Sequence, residues 1–202
     1  GFKLAYLPSP GMVRLRITAK GEAVKRLEEM YESLKLELKG MRYTEGDDAL
    51  EIQVGQLLRE KGVTVATAES CTGGEIAHLL TSVPGSSDYF KGSVVAYANE
   101  VKVNVLGVNP ADIEREGVVS EPVVLQMAEG VRRVMGTDYA VATSGVAGPA
   151  GGTPEKPVGT VWIGVATPRG CFARKYVFSF TRERNIAKAA AKALELLSME
   201  MV

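Results

Sequence analysis

Apolar positions recur along this chain in two periods. Residues 2–7 and 13–18 are short apolar runs on either side of Pro8-Ser9-Pro10-Gly11. They predict strand, turn, strand, with the prolines excluding a tight two-residue hairpin. Residues 21–39 carry Val24, Leu27, Met30, Tyr31, Leu34 and Leu38 at three- and four-residue steps, which predicts a helix stopped by Gly40. A short segment at 41–44 leads into the polar run Glu45-Gly46-Asp47-Asp48, read as a linker. Residues 1–44 are therefore expected to form a small α/β domain.

Beyond the linker the periods alternate. Helices are predicted over 50–61 (ended by Gly62), 74–81, 99–106, 121–135 and 182–201. Strands are predicted over 63–68, 93–97 and 139–143, and a hairpin joins 158–167 to 171–179 across Pro168-Arg169-Gly170. Strands alternating with helices imply a three-layer α/β/α domain over 48–202. The late hairpin makes its sheet mixed rather than purely parallel.

Composition narrows the function classes. Of 202 residues 46% are hydrophobic, and 24 Lys plus Arg balance 24 Asp plus Glu. Zero net charge does not favour a nucleic-acid or acidic-membrane binder. No apolar run approaches the roughly 18 residues of a membrane span, and Gly1-Phe2-Lys3-Leu4 does not open a cleavable signal peptide. The start at Gly1 rather than Met suggests a fragment or a processed chain. Cys71 and Cys171 form no disulfide framework, so a reducing cytoplasm is expected. His78 is the only histidine, so no zinc site rests on several histidines and a Ser-His-Asp triad would have to use it. No metal or cofactor is expected.

Three stretches carry candidate chemistry. Ala68-Glu69-Ser70-Cys71-Thr72-Gly73-Gly74 follows an apolar strand and precedes a helix. There a hydroxyl can act as nucleophile beside free helix N–H groups, or Ser70 or Thr72 merely caps the helix. Cys71 is a rival nucleophile or a small buried residue. The loop Ser144-Gly145-Val146-Ala147-Gly148-Pro149-Ala150-Gly151-Gly152-Thr153-Pro154 is a backbone nest for phosphate or carboxylate, or a plain connection. It is neither a P-loop nor a dinucleotide fingerprint. In Tyr97-Ala98-Asn99-Glu100-Val101-Lys102, Tyr97 ends a strand, Asn99 reads as a helix cap and Lys102 as the third helical residue. A lysine there opposes the helix dipole, and desolvation would suit it to act as a base, the alternative being an exposed surface lysine. Arg182 and Arg184 open the last helix as anion ligands or solvated charges.

Together these segments resemble the CinA family of competence- and damage-inducible proteins. The resemblance rests on AESCTGG at 68–74, on Tyr97, Asn99 and Lys102 followed by Leu106-Gly107-Val108, on Gly117-Val118-Val119-Ser120-Glu121, and on the run from Ser144 to Val161. It covers nearly all of 48–202, and residues 1–44 resemble the family's KH-type linker region. The chain thus looks like the last two regions of a longer protein without the molybdopterin-binding-like domain. The resemblance implies a nicotinamide mononucleotide (NMN) deamidase, working without cofactor, as a homodimer or higher homo-oligomer. It implies Ser70 as nucleophile, Lys102 as base and Tyr97 as a residue that relays or orients the proton. Cys71, Thr72, Gly73 and Gly74 would hold the oxyanion through their N–H groups. Asn99, Ser144, Gly145, Gly148 and Arg184 would contact substrate. Two positions depart from the family pattern: Ser144 stands where threonine is usual, and Phe180-Thr181-Arg182-Glu183-Arg184 replaces a Gly-Asp-Arg-Glu run. Rival readings are a nucleotide-sensing or nucleic-acid-associated module, against which residues 1–44 lack a GXXG clamp, and an amidohydrolase for another small carboxamide.

Overall fold

The computed structural model describes residues 1–9, 12–39 and 48–201. The chain divides into two compact units, Gly1–Asp48 and Ala49–Val202. In the first, β1 (Phe2–Ser9) and β2 (Met12–Ala19) pair antiparallel from Phe2↔Ala19 to Ser9↔Met12. Two residues therefore separate the strands, against the expectation that prolines exclude so short a connection. A two-stranded ladder leaves half its N–H groups facing outward, where Pro8 forfeits nothing. The helix expected over 21–39 divides into a 3-10 segment, Gly21–Arg26, and α1, Leu27–Glu37. Gly40 and residues 41–47, with the short segment and most of the linker, lie outside the described residues.

The second unit is a mixed five-stranded sheet flanked by helices. Its strands are β3 (Val65–Glu69), β4 (Phe90–Val95), β5 (Tyr139–Gly145), β6 (Thr160–Thr167) and β7 (Gly170–Val177), in the order β4-β3-β5-β6-β7. β3 runs parallel to β4 and β5, while β5, β6 and β7 are antiparallel neighbours. Alternation along the central strands assigns the two faces. Val65 and Val141 pack with α2 (Leu50–Lys61), α3 (Glu75–Thr81) and α7 (Arg182–Met199). Ala66, Ala68, Ala140 and Ala142 pack with α6 (Glu121–Met135) and with Leu106 and Val108. The alanines leave room for close approach on that face: a Cβ on Gly164 would stand 2.8 Å from the Val124 carbonyl.

Three of the differences from expectation have a local reason. β4 starts at Phe90 because a bulge between its pairings Val65↔Phe90 and Ala66↔Gly92 resets the alternation. It stops at Val95, so Tyr97 lies beyond the strand. Ala98, not Asn99, caps α4 (Asn99–Asn104), which makes Lys102 its fourth residue. The helix α5 (Pro110–Glu116) was not anticipated, although its signal is present: Pro110 occupies the first turn and Asn109 Oδ1 accepts from Ala111 N at 3.0 Å.

Gly130 on α6 gives a stability prediction. A Cβ there would sit 2.1 Å from the Leu106 carbonyl oxygen. Gly130→Ala is therefore expected to destabilise the fold by about 2–3 kcal/mol despite alanine's better helix propensity, measurable by urea unfolding.

Candidate functional site

The candidate site lies at the carboxyl ends of the parallel strands. Chain order reverses across β4-β3-β5 there, and open α/β sheets present their crevice at such a point. The last ladder pairs are Glu69↔Val95 and Glu69↔Thr143. Ser70 is thus the first residue beyond the ladder, with Ala96 on one side and Ser144 on the other. Its N–H donates to the Thr143 carbonyl at 3.0 Å. Its side chain is half-buried, and no hydrogen bond holds its hydroxyl among the described residues.

Lys102 projects from α4 into the same corner and is 1% exposed. Its Nζ donates to the carbonyls of Ala96 at 2.7 Å and Tyr97 at 3.2 Å. These two carbonyls turn toward the amine, which is why β4 ends at Val95. Burial pushes the Lys102 pKa below its ordinary 10.5, partly opposed by the nearby Cys71 thiol. A neutral amine has two N–H donors and one lone pair. In that form both donors would be accounted for by the carbonyls, with the lone pair left for a proton. No hydrogen bond joins Ser70 to Lys102 among the described residues. Adjacent strands lie about 4.8 Å apart, and the Ala96 carbonyl that holds Nζ belongs to the residue beside Ser70.

The N–H groups of the turn can be followed one by one. Gly73 N donates to the Ser70 carbonyl at 3.2 Å, and Glu75 N to the Thr72 carbonyl at 3.2 Å. Gly74 N and Ile76 N donate to Glu69 Oε2, each at 3.0 Å, and Ala77 N to Glu69 Oε1 at 2.8 Å. Only Cys71 and Thr72 retain N–H groups with no partner in another described residue. The four-residue oxyanion cradle expected over 71–74 therefore shrinks to two adjacent donors. Burial pushes the Cys71 thiol up to about 12, with its own N–H and the Thr143 hydroxyl pulling the other way. Burial thus disfavours a resting thiolate at Cys71.

A hollow of about 420 Å³ has Tyr97, Gly145, Gly148, Lys156 and Arg182 among its lining residues, but not Ser70, Cys71, Thr72 or Lys102. Arg182 Nη1 donates to the Gly148 carbonyl at 2.8 Å, and Nη2 lies 3.5 Å from the Tyr97 hydroxyl. Arg182 is among the lining residues and Arg184 is not. The Tyr97 ring is a wall of the hollow, and it is the Tyr97 carbonyl, not the hydroxyl, that meets Lys102. Ser144 is 1% exposed and its Oγ donates to the Val118 carbonyl at 2.7 Å, which ties the segment before α6 to β5. Asn99 lines a separate hollow with Glu100, Val103, Asn104, Pro110 and Ile113. His78 is exposed on α3. Among the described residues no cluster of three or more His, Cys, Asp or Glu side chains is arranged to hold a metal. No helix among them is long and apolar enough to cross a membrane.

Several residues that shape the site escaped the sequence reading. Asn185 is 1% exposed and holds the glycine-rich loop, its Nδ2 donating to the Ala147 carbonyl at 3.0 Å. Lys156 Nζ donates to the Glu116 carbonyl at 2.5 Å across the hollow. Neither has a local pattern to mark it. Glu69 has one: an acidic residue just before a turn and a helix start.

Fold and site together define a three-layer α/β protein with a serine turn and a buried lysine at its sheet's carboxyl edge. The CinA C-terminal domain profile matches residues 47–201, and the chain belongs to the CinA family. A CinA-like protein of Flavobacterium psychrophilum is 48% identical over 205 residues, covering 99% of this chain and 49% of that protein. One of Salinibacter ruber is 49% identical over 195 residues, covering 95% and 47%. The chain thus spans about half the length of these relatives. A competence-damaged protein (CinA) superfamily crystal structure from Klebsiella pneumoniae superposes with a TM-score of 0.73 at 33% identity, covering 75% of this chain and 95% of that one. The competence/damage inducible protein structure from Agrobacterium tumefaciens gives 0.71 at 33% identity, covering 77% and 98%.

Proposed function

We propose that this chain hydrolyses the carboxamide of NMN to nicotinate mononucleotide and ammonia. The observation that carries the reading is Lys102: a wholly buried amine, its pKa lowered by burial, held by two carbonyls beside Ser70. A structural lysine has no use for such burial, because an apolar residue of that size fills the space without desolvating a charge. A general base needs it.

The steps follow from the residues present. Ser70 Oγ turns toward Lys102, loses its proton to the amine and bonds the carboxamide carbon. The carbonyl electrons move onto oxygen, which rests on the Cys71 and Thr72 N–H groups. Collapse of the tetrahedral species breaks the carbon–nitrogen bond, and Lys102 returns the proton to nitrogen, which leaves as ammonia. Water then attacks the Ser70 ester. Lys102 takes a proton from that water and passes it back to Ser70 Oγ, freeing nicotinate mononucleotide. Arg182 and Lys156 would meet the phosphate in the hollow, with the Tyr97 ring beside the base or ribose.

The test is ammonia release by the purified chain, with EDTA present, from NMN, nicotinamide and glutamine. The expected result is release from NMN alone, because only NMN brings a phosphate to Arg182. Equal rates on nicotinamide would put the specificity elsewhere. Arg182→Gln is expected to raise KM for NMN about tenfold or more, the scale of a charge-assisted hydrogen bond, while Arg184→Gln stays within about twofold. The reverse order of effects would restore Arg184 as the anchor.

A further inference from the structure

Glu69 and Lys102 are the two charged side chains buried among the described residues, at 0% and 1% exposure. Lys102 has a place in the proposed chemistry and Glu69 has none. Yet the chain gives Glu69 five hydrogen bonds. Oε2 accepts from Thr72 Oγ1 at 2.8 Å and from Gly74 N and Ile76 N at 3.0 Å each. Oε1 accepts from Ala77 N at 2.8 Å and from Thr67 Oγ1 at 3.3 Å. Three of the five partners are backbone N–H groups, which can only donate, while Thr67 Oγ1 also lies 2.8 Å from Ser93 Oγ. Thr72 Oγ1 in turn lies 2.7 Å from Thr143 Oγ1 on β5. The Thr143 carbonyl accepts from Ser70 N. Glu69 therefore reaches the serine turn from both sides: through the backbone it shares with Ser70, and through Thr72 and Thr143.

The consequence for the turn is one of subtraction. Ordinarily the first N–H groups of a helix are open to any anion. Here Glu69 takes those of Gly74, Ile76 and Ala77, and among the described residues of the turn only the Cys71 and Thr72 N–H groups have no partner in another residue. Thr72 is fixed by the same carboxylate through its hydroxyl, so the position of one remaining N–H follows from where Glu69 holds it. A simpler helix cap would need one acceptor from a surface side chain. A fully buried carboxylate spanning strand, turn and helix is a far more rigid device.

We propose that Glu69 is a positioning residue for the Ser70 turn: its carboxylate fixes Thr72 and the start of α3 so that the Cys71 and Thr72 N–H groups alone face the developing oxyanion. This rests on the reading of Ser70 as a nucleophile. Glu69 touches neither substrate nor the reacting atoms, and acts by geometry. A displacement of about 1 Å in such a turn is enough to cost on the order of 100-fold in rate.

Two variants test it. Glu69→Gln keeps the size but turns an amide N–H₂ onto donors. Thr72→Val keeps the shape of the turn and removes the hydroxyl that joins Glu69 to Thr143. Each is compared with wild type for thermal midpoint, for kcat and KM on NMN, and for the burst of Ser70 acylation by p-nitrophenyl acetate, with enzyme concentration set by the folded fraction. The expected result is a kcat lowered about 100-fold in Glu69→Gln and about tenfold in Thr72→Val, KM within about twofold, and a slowed acylation burst. Per folded molecule, a structural role alone leaves kcat and burst at wild-type values, and that outcome overturns the proposal. Should Glu69→Gln fail to fold, Thr72→Val decides by the same readouts. A wild type that is acylated at Ser70 but releases no ammonia from NMN overturns the substrate reading and leaves the burst to judge Glu69. A wild type never acylated at Ser70 by either compound overturns both.

Discussion

Ser70→Ala is expected to release ammonia from NMN at least about a thousandfold more slowly than wild type, with the fold and the thermal midpoint little changed. Loss of a true nucleophile removes the covalent route, and only substrate binding and the oxyanion donors remain to assist water. The fold is insensitive because the Ser70 hydroxyl contributes no hydrogen bond to it among the described residues; its backbone bonds to Thr143 and Gly73 survive in alanine. Side-by-side ammonia assays read the effect directly. A variant that keeps more than about a tenth of the wild-type kcat removes Ser70 from the nucleophile's role.

Lys102→Met is expected to lower kcat/KM at neutral pH by about a hundredfold to ten-thousandfold, the usual range for loss of a general base. The pH profile carries the more specific signature. In wild type, kcat/KM rises with pH as Lys102 gives up its proton, with an inflection below the ordinary lysine value of 10.5. In Lys102→Met that inflection disappears. Stability moves with the same group. The folded pKa lies below the unfolded one, so the unfolded chain binds more protons between the two values, and stability rises with pH across that window. The penalty of burying a charged Lys102 is fully present below the folded pKa and vanishes above 10.5. The methionine variant lacks this penalty, so urea unfolding across the window should show its advantage over wild type shrinking as pH rises. A wild-type rate profile that matches the variant's would remove Lys102 as the base.

Much of the second unit could be read from pattern alone. The helix over 121–135 was placed to the residue, because its apolar stripe is long and Gly136 ends it in the left-handed conformation at φ 61°. The hairpin over 160–177 was placed to within two residues at each end, with its β-branched strands and Gly170 at the turn. β4 was misplaced because a bulge hides its register from a period-two count. The first unit was read less well: its helix divides into 3-10 and α segments, and none of its residues with described side chains is buried, so no core amplified its weak periodicity.

The site divides along the same line. The sequence by itself determined the serine turn between strand and helix, the glycine-rich loop after β5 and the presence of a lysine early in α4, because each is a local pattern of turn residues and periodicity. Only the tertiary structure decided what those residues do to one another. It buried Lys102 against the Ala96 and Tyr97 carbonyls, and set Arg182 rather than Arg184 in the hollow. It closed three helix N–H groups onto Glu69 and left two open. The reason is physical: desolvation and hydrogen-bond competition depend on which groups meet in space, and the segments that carry Glu69, Lys102 and Thr143 come together because the strand order β4-β3-β5 brings distant parts of the chain to one edge of the sheet.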